Sequence, residues 1–237
     1  MSTIQSADPV EQALLDGAGG FVLEELPRAR MMVPVIGTAP LLIHNFNHKA
    51  QLEIEESQAK AKGGKINRPP RIPEVEFQAA KYVMDDPEHM GQDGVKAVSF
   101  KLATIGGLRQ FDVATKVMSM KSLYPAMFFH AFGSEQLLPI QYESCTMSAE
   151  PVTIGQGKQI RYRPQYNGWS ILLTIDFNVN KLNPNTILSL IDAGGYGGVG
   201  DWRPEKSASG SYGTFAIDRD NVALGRLDVL TDKALAV

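Results

Sequence analysis

Cysteine is almost missing from this sequence: Cys145 is the only one in 237 residues. One thiol excludes an intramolecular disulfide and any zinc site built on several thiolates. Its plainest use is as a small apolar side chain packed for its volume, and a cytoplasmic location is expected. Long hydrophobic runs are missing too. The longest, such as Ala126-Met127-Phe128-Phe129, fall far short of the roughly 20 residues of a membrane helix, so no membrane partner is expected. Residues 1–15 contain Asp8 and Glu11 and no basic residue, unlike a signal peptide. There is no excess of positive charge: 23 basic side chains face 26 acidic ones, for a net charge of −3. A protein that neutralises phosphates needs clustered Lys and Arg, so the distribution of charge matters more than its sum.

Catalytic signatures are also absent. No G-x-S-x-G, no G-K-[ST] and no local Cys/His pairing occurs. His44 and His48 are four apart, but HNFNH lacks an internal glutamate and the helix there is expected to begin only at Asn47. Asp85-Asp86 and the carboxyl-terminal aspartates are candidates for magnesium, although acidic surface runs are usually solvated. Neither enzymatic activity nor a metal or other cofactor is expected.

Apolar residues make up 43% of the chain and charged residues 21%, which is the composition of a globular domain. The charges are segregated. Lys60, Lys62, Lys65, Arg68 and Arg71 follow one another without an acid. Between Val95 and Gln136, Lys96, Lys101, Arg109, Lys116 and Lys121 face only Asp112 and Glu135. A mildly acidic protein can therefore carry one basic face.

Residues 1–28, with Gly17, Gly19 and Gly20, read as an amino-terminal arm, either paired with a neighbouring subunit or a frayed terminus. Ala29 to Ile36 reads as a strand, which Pro34 would demote to an edge or bulged position, with Leu41-Leu42-Ile43 continuing it. His48 to Lys62 is strongly helix-forming. Pro69-Pro70 and Pro73 give an extended segment and then a helix start running to about Met84. Helices are expected over Val95–Ala103 and Asp112–Lys121, kinked by Gly106-Gly107, and a buried aromatic strand over Leu123–Phe132. Leu137–Val152 and Gln159–Tyr166 read as β elements around a Gly155/Gly157 turn. In WSILLTIDFN, Ile171, Leu173, Ile175 and Phe177 alternate on one face, which predicts a core strand. Asn183-Pro184 predicts a capped helix ending at Gly194-Gly195, and Gly213–Asp218 a last strand.

The order is βαββαβ. It predicts an α+β fold, a ferredoxin-like or RRM-like antiparallel sheet. After the arm, residues 29–237 are expected to form a single RRM-like domain, with a helical insertion over about 48–120 and a β insertion, a hairpin extension, over about 134–166.

The strongest local feature is GGYGGVGDWRPEKSASGSYG, with glycines at 194, 195, 197, 198, 200, 210 and 213. Its G-x-G-x-x-G follows a helix and runs toward a strand, the reverse of a dinucleotide site. Backbone that can approach phosphates beside Trp202, Arg203 and Lys206 suits a single strand of nucleic acid; a flexible connection with Trp202 tucked into the core is the alternative. In IRYRPQY, Arg161 and Arg163 share a strand face among Tyr162 and Tyr166 and suit phosphates or a subunit contact, with a simple solvated strand as the remaining reading.

The helix Asn183–Ala193, the loop GGYGGVGDWRPEK and the strand entry GSYGTFAID together resemble the RAMP superfamily, the RRM-fold backbone subunits of CRISPR effector complexes. The resemblance spans roughly Trp169 to Asp218. GVGDWRPEK…GSYGTFAID is also similar to proteins of tailed bacteriophages, which implies a bacterial cell or a phage-infected host. The family resemblance implies an RRM-like palm that binds guide RNA, with subunits stacking into a helical filament. It also implies a β-hairpin thumb over Ser134–Tyr166 and a helical insertion over His48–Met120. Nuclease-active members use a loop aspartate, which no motif places here. The expectation is a non-enzymatic single-stranded nucleic-acid-binding protein, RNA before DNA, that multimerises along the strand, with other effector subunits as further partners. Lys65, Arg68, Arg71, Lys101, Arg109, Lys116, Arg161, Arg163, Arg203 and Lys206 would meet phosphates, and Trp202 would stack or wedge. A viral structural or assembly protein is the alternative, and a metal-dependent nuclease a lesser one.

Overall fold

A computed structural model describes residues 26–45, 72–112, 118–154, 157–221 and 227–230. In chain order the elements are β1 (Arg28–Gly37), β2 (Leu41–Leu42), α1 (Pro73–Ala79), β3 (Tyr82–Val83), β4 (Asp93–Lys96) and α2 (Ala97–Gly106). A 3-10 turn (Gly107–Gln110) leads on to α3 (Met120–Leu123), β5 (Met127–Phe129), β6 (Leu137–Pro139), β7 (Ser144–Ile154) and β8 (Gly157–Asn167). The last four are β9 (Ser170–Asn178), α4 (Pro184–Gly197), β10 (Phe215–Ile217) and β11 (Leu227–Leu230).

The main sheet runs β10-β1-β9-β5, with every neighbouring pair antiparallel. Counting β1, β5, β9 and β10 as first to fourth, the spatial order is fourth, first, third, second. Helices α2 and α4 fill the two crossovers, so the α+β, ferredoxin-like expectation holds. The alternation read in WSILLTIDFN is realised: Ile171, Leu173, Ile175 and Phe177 are buried. They share one core cluster with Ala29, Met31, Val33 and Val35 of β1, Phe100 and Ile105 of α2, and Ile187, Leu190 and Ile191 of α4. Period two thus buries one face of each strand under the helices and leaves the other open. The cap is also as read: Asn183 Oδ1 accepts from Thr186 N at 2.8 Å, with Pro184 in the first turn.

Several local expectations are corrected. Pro34 lies in the middle of the sheet, not at an edge. The strand beside it is split instead: β10 pairs with Val35–Gly37 and β11 with Arg28–Met31. Asp218 N donates to Pro34 O at 2.9 Å, so the side of Pro34 that lacks an N–H faces the break. Leu41-Leu42 does not continue β1 but joins β8 in a second sheet, β2-β8-β7. Helix α1 stops at Ala79, because Tyr82–Val83 pairs with β4 in a third sheet, β3-β4-β6. Val95 belongs to β4, not to the helix that follows. Of the helix expected over Asp112–Lys121, residues 113–117 lie outside the described set and only the short α3 begins near its end. In the expected buried strand, Phe128 points to the open face and is 54% exposed, whereas its neighbours Met127 and Phe129 are buried.

Helix α4 does not end at Gly194-Gly195; it runs through them to a cap at Gly198. Close packing is the reason. A Cβ on Gly194 would sit 2.4 Å from the Ala103 carbonyl oxygen of α2, and one on Gly195 would sit 2.0 Å from that of Phe215 in β10. The expected arm up to residue 25 and the expected helix over His48–Lys62 lie outside the described residues.

Candidate nucleic-acid interface

The glycine-rich segment leaves α4 through Gly198 and Gly200, whose φ values of 72° and 78° are left-handed and suit glycine. It is not a loose connection. Val199 is buried, and its N–H donates to Gly213 O at 2.9 Å. Gly213 N donates to Pro40 O at 2.8 Å, and Asp201 N to Leu42 O at 2.8 Å. Gly200 lies so close to β2 that a Cβ would be 2.4 Å from Leu42 O. The loop is thus stitched to the β1–β2 connection, and β2 in turn pairs with β8.

This seating fixes Trp202 and its neighbours. Trp202 has φ 51°, uncommon for a bulky side chain. Its ring is half-buried; it lies over the Arg163 guanidinium, 4.9 Å from Cζ, and tilts against Tyr212 at 6.2 Å. Arg163 Nη1 donates to Asp201 Oδ2 at 2.8 Å. Arg203 Nη1 donates to Gly200 O at 2.8 Å, and Glu205 takes ion pairs from Arg109 at 2.8 Å and Arg203 at 3.5 Å.

The expected phosphate contacts therefore separate. Arg163 lies deep: its side chain is 2% exposed beneath Trp202, so in this arrangement a phosphate does not reach it. Arg109 and Arg203 share Glu205 as counter-ion. Arg161 is half-exposed further along β8, across from Glu150, and Lys206 is exposed beyond Trp202. Lys101 is half-exposed on α2. Lys65, Arg68, Arg71 and Lys116 lie outside the described residues, as does His48. The structure thus gathers Arg109, Arg163, Trp202 and Arg203 with the loop. Arg161 and Arg163, one face of the strand by spacing, differ in depth because β8 passes under the loop only at the Arg163 end.

Sequence reasoning missed Asp201 and Glu205, the counter-ions that organise these cations. Glu205 stands two residues from Arg203, which is the one local signal; Asp201 holds Arg163 from 38 residues away, which no local pattern shows. It also missed the open face of the main sheet. There Asp176 accepts from Arg30 Nε at 2.7 Å and Nη2 at 3.0 Å, and pairs with His130 Nε2 at 2.8 Å. Exposed Phe128 stands edge-on to His130 at 5.0 Å. The polar face of WSILLTIDFN, opposite its apolar alternation, was the available signal for Asp176. Among the described residues no group of three His, Cys, Asp or Glu side chains is placed to hold a metal ion, and no helix is long and apolar enough to cross a membrane.

His44 follows β2, and burial, with Arg161 as the next contributor, holds its pKa below the ordinary 6.5. A depressed histidine leaves the unfolded chain binding more protons below that value. Stability is therefore expected to fall as pH drops below about 6.5. His44→Gln should flatten this part of the profile, read from denaturation midpoints at pH 7.5 and 5.5; an unchanged slope would remove His44 as the cause.

No family model matches this chain, and no curated protein matches it. Among solved structures it is similar to a chain in the cryo-EM structure of the Type III-B Cmr-beta bound to cognate target RNA. That match has a TM-score of 0.44 at 10% sequence identity and covers 94% of this chain and 67% of that one.

Proposed function

We propose that this chain is a non-enzymatic single-stranded nucleic-acid-binding protein that multimerises along its strand, alone or with other subunits of an effector complex. The seating of Trp202 carries the reading. An aromatic ring is held half out of the protein by a hydrogen-bonded loop, with Arg203 and Lys206 following it in the chain and a guanidinium beneath it. Base–aromatic stacking needs such a preset ring, and cations beside it supply the sequence-independent attraction for phosphates. RNA is placed ahead of DNA on the resemblance of the glycine-rich segment to RAMP backbone subunits. Strands of equal sequence in the two sugars, competed against each other, test that preference through the 2′-hydroxyl.

Binding should weaken steeply with salt through counterion release. Lys206→Ala and Arg161→Ala should each weaken it for every sequence tested and lower the log–log salt slope by about 1. Charge reversal at Lys65, Arg68 and Arg71 tests that segment in the same assay. Titrations of a labelled oligonucleotide between about 50 and 200 mM salt read the effect. A wild-type protein with no affinity at the low-salt end would overturn the proposal. Unchanged slopes would remove the mutated residues from the interface.

A further inference from the structure

We propose that Arg163 is a concealed phosphate receptor and that Trp202 is its lid. The proposal rests on the single-strand reading and names how that site takes a phosphodiester.

Two guanidinium groups of this protein show the contrast. In Arg30 the parallel fork of Nε and Nη2 holds both carboxylate oxygens of Asp176, at 2.7 and 3.0 Å. In Arg163 the same two nitrogens, Nε and Nη2, are buried and have no hydrogen-bond partner among the described residues. Only Nη1 is engaged, by Asp201 at 2.8 Å. Buried charged donors are normally satisfied, and leaving them unpaired is costly. The fork that stands ready on Arg163 matches two oxygens of one phosphate, the geometry that distinguishes arginine from lysine.

What lies over the guanidinium is a single side chain on a seated backbone, so it can leave only by turning about its own side-chain bonds. The Trp202 ring lies 4.9 Å over Cζ. Its backbone sits at φ 51°, a strained conformation for tryptophan. Gly198 and Gly200 precede it, and Gly210 packs against its carbonyl, where a Cβ would lie 2.4 Å from the oxygen. Around His44, Arg161 and Arg163 act to lower the pKa while Asp201, whose side chain is 38% exposed, and Glu76 act to raise it, so Arg161 is the second cation near the fork. An incoming base takes the face of Trp202, the ring swings off Arg163, and the adjoining phosphate seats on Nε and Nη2. Asp201 keeps the guanidinium oriented through Nη1.

The test uses the full chain in two arms. In the first, a labelled 20-nucleotide oligouridylate is titrated by anisotropy while acrylamide quenching follows the tryptophans. The chain has two, and Trp169 is 1% exposed, so a change in quenching reports Trp202. Quenching should fall when the strand binds, because the base stacked on Trp202 shields the ring from acrylamide. Arg163→Lys keeps the charge but loses the fork, and should weaken binding about tenfold. In the second arm, no strand is present. Inorganic phosphate should raise the melting temperature of Trp202→Ala but not of wild type, and the rise should vanish in the Trp202→Ala/Arg163→Lys double variant. Should Arg163→Lys fail to fold, Trp202→Ala with and without phosphate decides. Normal affinity in folded Arg163→Lys with unaltered quenching would overturn the lid and leave the strand reading standing. A phosphate arm that behaves as stated, with no strand bound by wild type, would overturn the strand reading and keep the receptor. No phosphate effect on Trp202→Ala would overturn the receptor.

Discussion

Trp169→Ala is expected to lower stability by about 3–5 kcal/mol, the range for losing a fully packed aromatic. For a domain of this length that is a fall of about 6–20 °C in melting temperature. The ring is 1% exposed, and its Nε1–H donates to Ala39 O at 2.8 Å, pinning the β1–β2 connection. It packs so closely on Gly37 that a Cβ there would sit 2.1 Å from Nε1. Phe100 of α2 and Phe215 of β10 meet it edge-on at 6.2 and 6.3 Å. One side chain therefore joins the helical layer, the sheet and the connection to which the glycine-rich loop is stitched. Alanine would leave a cavity and an unpaired carbonyl together. Trp202→Ala is the matched contrast. Its ring is half-buried, its contact with Arg163 is a cation–π pair whose cation is buried, and the expected stability loss is about 2 kcal/mol. Its cost falls on binding instead, at about 1–3 kcal/mol per stacked base. Chemical denaturation and oligonucleotide affinity on the same two proteins separate these roles. A large stability loss in Trp202→Ala with normal affinity would make Trp202 a core residue and remove it from the interface.

The two tryptophans also mark where sequence reading works. The alternation in WSILLTIDFN, the Asn183 cap and the βαββαβ order are local signals, and local signals determined β9, α4 and the sheet they build. Pairing between distant segments was not legible. Nothing near Leu41 says that it leaves β1's sheet to pair with Tyr166, and nothing near Val95 says that it pairs with Leu138 before the helix starts. Pro34 was misplaced because its missing donor was weighed without the partner strand, which breaks at that point. The candidate site divides the same way. The composition of GVGDWRPEK pointed to the loop, but the depth of Arg163 depends on β8 passing under a loop 38 residues further along, a relation only the fold supplies.

Gly195→Ala is expected to destabilise the protein by about 3 kcal/mol, at or beyond the usual cost of overpacking. Helix propensity alone argues the opposite, since alanine in a helix interior is favoured over glycine by about 1 kcal/mol. Sterics decide it. A Cβ on Gly195 would lie 2.0 Å from the Phe215 carbonyl oxygen, a backbone atom of β10 that cannot rotate aside as a side-chain tip would. Separating α4 from β10 would also open the contact between α4 and α2, where Gly194 faces Ala103 O at a hypothetical 2.4 Å and Gly107 faces Leu190 O at the same distance. Gly197→Ala is the control on the same helix. Its nearest neighbour would be Glu205 Cβ at 3.5 Å, an ordinary contact, so propensity should prevail and stability should hold or rise by up to about 1 kcal/mol. Urea midpoints on both variants read the difference. Equal stability for Gly195→Ala and wild type would mean that α4 stands further from β10 than this packing has it. If the spacing is as described, Gly195→Ala should also weaken oligonucleotide binding, because α4 delivers the chain into Gly198 and Gly200 and so sets where Trp202 lies over Arg163.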